Sequence, residues 1–170
     1  MKKVHIRPIA DSDTANIVRW RNSEAVKKNL IQQTPITEES HRQYLAKYVY
    51  TKLVYQFVIY VCEECACRDI GSCFVKNINA EQREAEIGIF IGEDSARGKG
   101  YAKYAIAELL KFAYGELGME TIFLLVLDTN EVARIVYEKL GFTVVGEPVD
   151  GIFIRMELKK EDFQAAQWQS

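Results

Sequence analysis

Residues 93–106, "EDSARGKGYAKYAI", bring Arg97, Gly98, Lys99 and Gly100 together immediately before an apolar helical stretch. Two cations and two glycines in that place suit one kind of chemistry, the holding of an anion. The first N–H groups of a helix have no partners within it, and the helix dipole places partial positive charge at the same end. Glycine lets a phosphate come close to those N–H groups, because no Cβ stands in the way. A pyrophosphate is the anion such a turn fits best. A second cluster of reactive side chains is Cys62, Cys65, Cys67 and Cys73 in "CEECACRDIGSC". Structural zinc sites draw on paired knuckles far enough apart to converge, whereas these four cysteines fall within twelve residues. The expectation is therefore ordinary reduced thiols at strand ends and in the turn between two strands, and no metal site.

The elements that must position the turn can be read from periodicity. "EAEIGIFIGED" has the alternation of a strand and runs straight into the turn. After it, Ala102, Ile106, Leu109, Leu110, Ala113 and Leu117 form one apolar helical stripe, with Gly118 as the stop. "TIFLLVL", residues 121–127, reads as a strand buried on both faces. "DTNEVARIVYEKLGF" makes a short helix from Asn130 to Leu140, closed by Gly141. Upstream, Val4 to Arg7 reads as a strand, "DSDTANIVRWRNSE" as a capped helix, and a second helix starts at Thr37 and ends near Tyr48. Further strands are expected near 55–62, 69–77, 84–91, 142–146 and 151–158. This order specifies an α/β (α+β) fold: one domain over 1–160, a mixed central sheet of about seven strands and about four flanking helices, with 161–170 as a tail.

Composition narrows the function classes. The 170 residues are 48% hydrophobic and 27% charged with a formal net charge of −2, the balance of a soluble globular domain. No basic face is implied, so nucleic acid is not expected as a partner. The longest uncharged run, Leu53 to Cys62, is ten residues, too short to span a bilayer, and the N-terminus lacks a secretory apolar region. A cytoplasmic protein without a membrane partner is expected. The composition is compatible with a monomer or a homodimer.

Two familiar phosphate loops do not fit. A Walker A loop needs four residues between its glycines and then G-K-[ST], whereas Gly92 and Gly98 enclose five and Gly100 follows Lys99. A dinucleotide fingerprint needs glycine or alanine where Lys103 stands. Arg97-Gly98-Lys99-Gly100-Tyr101-Ala102 instead resembles the R/Q-x-x-G-x-G/A signature of the GCN5-related N-acetyltransferase (GNAT) family. "NEVARIVYEKLGF", residues 130–142, resembles that family's second landmark, and the element order fits from Val4 to Leu158.

The resemblance implies acetyl-coenzyme A as acetyl donor, with no metal. The backbone N–H groups of Gly98, Gly100 and Ala102 would hold the pyrophosphate, beside Arg97, Lys99 and Tyr101. Ile89, Phe90 and Ile91 would pair with the pantetheine arm as an added strand would. Asn130 would contact the cofactor or cap its helix, and the two roles can coexist. Tyr137 aligns with the family's general acid; a phenol with pKa near 10 can protonate a leaving thiolate when well positioned. Glu86 is the candidate base, directly or through a water, with Glu84 on the same strand face. Where some family members carry an acid five residues before the asparagine, this chain has Leu125.

"RWRN", 19–22, and "ITEESH", 36–41, look like the branch holding aminosugar-nucleotide and ribosomal-protein alanine acetyltransferases. Trp20 is a candidate to stack on an acceptor and Arg21 to pair with a phosphate, against a core tryptophan and a surface arginine. His41 reads as a helix-surface histidine. The expected activity is acetyl transfer to the primary amine of a small molecule, a nucleotide-linked aminosugar being one such acceptor. The alternatives are a protein N-terminal acetyltransferase of the alanine type and an acyl-CoA-binding module without turnover.

Overall fold

The computed structural model describes residues 3–63 and 66–168. Seven strands form one sheet in the order β1-β2-β3-β4-β5-β7-β6. They are β1 (Lys3–Pro8), β2 (Tyr55–Glu63), β3 (Ala66–Asn79), β4 (Glu84–Ile91), β5 (Thr121–Leu127), β6 (Thr143–Val144) and β7 (Phe153–Lys159). Every pairing is antiparallel except that of β4 with β5, whose connection is the long helix α4 (Tyr101–Gly115). A parallel pair requires such a crossover, and the apolar stripe read from the sequence is what α4 buries against the sheet. Ile106, Leu109, Leu110 and Ala113 are all fully buried.

The sheet separates two apolar layers. Phe57, Ile59 and Val61 of β2 join the larger core with α4 and α5 (Glu131–Leu140). Val58, on the opposite face of the same strand, joins Ile17, Trp20 and Leu45 from the N-terminal helices. Those helices are α1 (Thr14–Asn22), the single turn α2 (Glu24–Lys27) and α3 (Glu38–Tyr44), which runs on as a π-helical turn through Val49. Thr37, where the sequence places the start of this helix, caps α3 by accepting from the Ser40 N–H. Among the described residues, no helix is long and apolar enough to cross a membrane.

Two expectations need correction. First, β5 is not buried on both faces: Ile122, Leu124 and Val126 enter the core, while Phe123 and Leu125 on the other face are half-buried. The Arg155 guanidinium lies on that face, 3.7 Å from the centre of the Phe123 ring. Second, Cys62 and Cys67 are not reduced thiols but form a disulfide. The antiparallel register makes them direct partners, with Cα atoms 4.1 Å apart. Cys73 is free and fully buried, and Cys65 lies outside the described residues.

Candidate active site

The decisive feature lies where the parallel pair fails. β4 and β5 pair only from Glu84 to Glu86, opposite Thr121 to Phe123. Beyond that point the strands part, and over 87–91 this edge of β4 has no strand partner among the described residues. The gap opens into a cleft of about 1590 Å³, lined by Ile87–Ile91 on one side and by Leu125, Asn130, Val136 and Tyr137 on the other. An unpaired strand edge presents backbone donors and acceptors to an extended ligand that carries amides, as an added strand would.

The N-terminus of α4 borders the same cleft. Gly98 and Gly100 sit at φ +71° and +77°, a conformation that other residues adopt with strain. Crowding is not their reason. A Cβ on Gly98 would meet nothing within 4 Å, and one on Gly100 only the flexible end of Lys103 at 3.8 Å. Among the described residues no side chain caps the helix, which leaves its first N–H groups available to an incoming anion. Tyr101 and Ala102 both line the cleft; Tyr101 is largely buried and its hydroxyl donates to Glu63 at 2.9 Å, beside the disulfide.

Of the cations near this turn, Arg97 and Lys103 line the cleft and Lys99 does not. Arg97 donates to the carbonyls of Ile91 (3.1 Å) and Gly92 (2.9 Å) and pairs with Asp94. Its guanidinium is thus committed to fastening the strand end to the loop, with its charge partly neutralised. Lys99 is exposed and does not line the cleft. Lys103 does, with its ammonium 4.9 Å from the Tyr104 ring centre and 5.8 Å from that of Trp168. Lys103 is a cation the glycine signature does not mark; its place in the first turn of α4, three residues after Gly100, is the sequence signal for it.

Glu86 is 6% exposed yet lines the cleft. Asn77 Nδ2 donates to its Oε2 at 2.7 Å, and Lys76 Nζ lies 3.5 Å from its Oε1. The β3–β4 register shifts between Lys76 and Asn79, and Asn77 sits at φ +48°. Such an irregularity re-aims a side chain, here onto the buried carboxylate. Glu84, on the same face, is occupied by Arg155 at 3.0 Å and does not line the cleft. Tyr137, on the buried face of α5, packs edge-on against Phe142 with ring centres 5.9 Å apart. Burial, with no opposing charge, pushes its pKa up to about 12, so the phenol stays a proton donor. Asn130 caps α5, accepting from Ala133 N–H at 3.3 Å, and also borders the cleft.

On the acceptor side the two candidates separate. Trp20 is 1% exposed, donates to Glu93 at 2.8 Å and packs so close to Gly92 that a Cβ there would come within 2.1 Å of it. It is a core residue and offers no face to a ligand. Arg21 lines the cleft, together with Tyr44 and His41. His41 is buried rather than on the surface, its Nδ1 3.0 Å from the Thr14 hydroxyl. α1 and α3 pack face to face here, which the isolated pattern of α3 did not reveal.

A family model described as an acetyltransferase (GNAT) domain matches residues 3–143. The chain belongs to the GNAT family of acetyltransferases. It is similar to a spermidine N(1)-acetyltransferase of Escherichia coli K12, 26% identical over 151 residues, covering 89% of this chain and 78% of that one. It is 28% identical over 141 residues to an uncharacterized protein of Methanocaldococcus jannaschii, MJ1062, covering 82% of this GNAT chain but only 28% of that longer protein. The fold matches a spermidine N-acetyltransferase from Vibrio cholerae, solved with CoA and spermine. The TM-score is 0.86 at 22% identity, over 94% of this chain and 97% of that one.

Proposed function

We propose that this GNAT domain transfers the acetyl group of acetyl-coenzyme A to a primary amine, with Glu86 accepting the amine's proton and Tyr137 protonating the departing thiolate. In that step an N–C bond forms, the thioester C–S bond breaks, and each proton has a named donor and acceptor. The observation that carries the reading is the gap between β4 and β5. It lets Glu86, on the face of the sheet toward α1 and α3, share one cleft with Tyr137 from α5. Gly98, Gly100 and Ala102 at the α4 N-terminus would seat the pyrophosphate, Lys103 adding charge, and the free edge of β4 would take the pantetheine amides. Leu125 leaves β5 without a carboxylate at the position some relatives use, which throws the base role onto Glu86.

The names of the relatives support a small-molecule amine as acceptor; none of those reported above is named for an aminosugar. The test is release of coenzyme A thiol with a panel of amines, with the acetylated product identified by mass spectrometry. Tight acetyl-CoA binding without product from small amines or N-terminal peptides would favour a non-catalytic binding module instead.

A further inference from the structure

We propose that the acceptor carries an oxyanion, a carboxylate or a phosphate, which Arg21 binds where α1 and α3 wall the cleft. This deepens the acetyl-transfer reading above and rests on it. Arg21 stands in the last turn of α1 and lines the cleft, and among the described residues its guanidinium donates to the Gln32 carbonyl at a long 3.3 Å. No carboxylate among the described residues pairs with it. Two other half-buried arginines are matched: Arg7 by Asp13 and Asp69, Arg155 by Glu84 and Glu157. A half-buried cation without a counter-charge carries a desolvation cost, and an incoming oxyanion lowers it. Burial pulls the Arg21 pKa below its ordinary value, with Tyr44 the one group opposing the shift.

The neighbouring groups point the same way. Tyr44 stacks on His41, whose Nε2 is buried without a hydrogen-bond partner. The cleft also receives Lys52 and Lys76, against a single carboxylate, Glu86, already engaged by Lys76 and Asn77. A polyamine would therefore meet Arg21, Lys52 and Lys76 and no uncommitted carboxylate among the described residues. The charge of the cleft thus departs from what the relatives' names suggest. A guanidinium reads a carboxylate or phosphate through two parallel hydrogen bonds, so the site suits either chemistry.

The experiment compares ω-amino carboxylates and ω-aminoalkyl phosphates of graded length with alkylamines of the same length and with spermidine. The two anionic series separate carboxylate from phosphate as the preferred group. At least one anionic series should exceed the matched alkylamines in kcat/KM by 10-fold or more, and exceed spermidine too. Arg21→Gln should collapse that ratio toward 1, lowering kcat/KM for the anionic acceptors by about 10²-fold. Arg21→Lys should restore part of it, since the charge returns without the fork. In parallel, inorganic phosphate titrated into the CoA-saturated protein should bind wild type and not Arg21→Gln. Preference for spermidine, an anionic ratio that survives in Arg21→Gln, or phosphate binding indifferent to Arg21 would each overturn the proposal. No thiol release with any amine, with Arg21-dependent phosphate binding intact, would instead overturn the acetyl-transfer reading and leave the oxyanion site standing.

Discussion

Replacing Gly100 by aspartate places a carboxylate at the mouth of α4, where the coenzyme pyrophosphate is expected to sit. The structure fixes the size of each effect. Gly100 has φ +77°, so a side chain costs about 1–2 kcal/mol in backbone strain. Aspartate tolerates this conformation better than most residues, and its charge at a helix N-terminus returns about 0.3–1 kcal/mol. No clash adds to the strain, since the nearest atom to the new Cβ is the end of Lys103 at 3.8 Å. The free protein should therefore lose between about 0 and 1.7 kcal/mol, each kcal/mol being worth roughly 2–4 °C in Tm for a chain of this size.

Binding should respond far more strongly. One unit charge about 5 Å from another at an effective dielectric of about 20 interacts by about 3 kcal/mol. Repulsion of the pyrophosphate should then weaken acetyl-CoA by about 100-fold. Gly100→Asn, similar in shape and uncharged, isolates the charge contribution, and the gap between the two variants should narrow as salt rises. Isothermal titration of both folded variants at two ionic strengths is the assay. Unchanged coenzyme affinity in folded Gly100→Asp, or equal losses in Asp and Asn at every salt concentration, would refute the placement of the pyrophosphate.

Tyr137→Phe should leave coenzyme affinity nearly unchanged and lower single-turnover acetyl transfer by roughly 10²–10⁴-fold; wild-type single-turnover rates would make Tyr137 a packing residue. With its pKa raised by burial to about 12, Tyr137 keeps its proton as pH rises, so kcat/KM should climb with deprotonation of the amine and then hold level. A descending limb centred near pH 10 that disappears in Tyr137→Phe would contradict this. Gly92→Ala would set a Cβ 2.1 Å from the buried Trp20 ring and should cost about 1–3 kcal/mol, read as a fall in denaturant midpoint. Thiol titration of the unfolded, unreduced protein should find no more than two reactive cysteines, because Cys62 and Cys67 are joined.

What the sequence by itself determined is what short-range physics governs. Helix α4, its glycine turn and the cap of α5 at Asn130 follow from apolar spacing, left-handed glycines and capping side chains, all acting within one or two turns. The alternation in β4 likewise put Glu84 and Glu86 on one face, because side-chain period in a strand is a local property. Only the tertiary structure decided which of the two carboxylates is available: Arg155 comes from a strand 71 residues away to occupy Glu84, and the irregular end of β3 brings Asn77 to Glu86. The Cys62–Cys67 pair depends on the β2–β3 register, which a one-residue slip would abolish. The burial of Trp20 and His41 depends on how α1 and α3 pack over the sheet, and the commitment of Arg97 on carbonyls presented by the end of β4. The cleft exists because β4 and β5 twist apart after three paired residues, a separation that neither strand's own pattern contains.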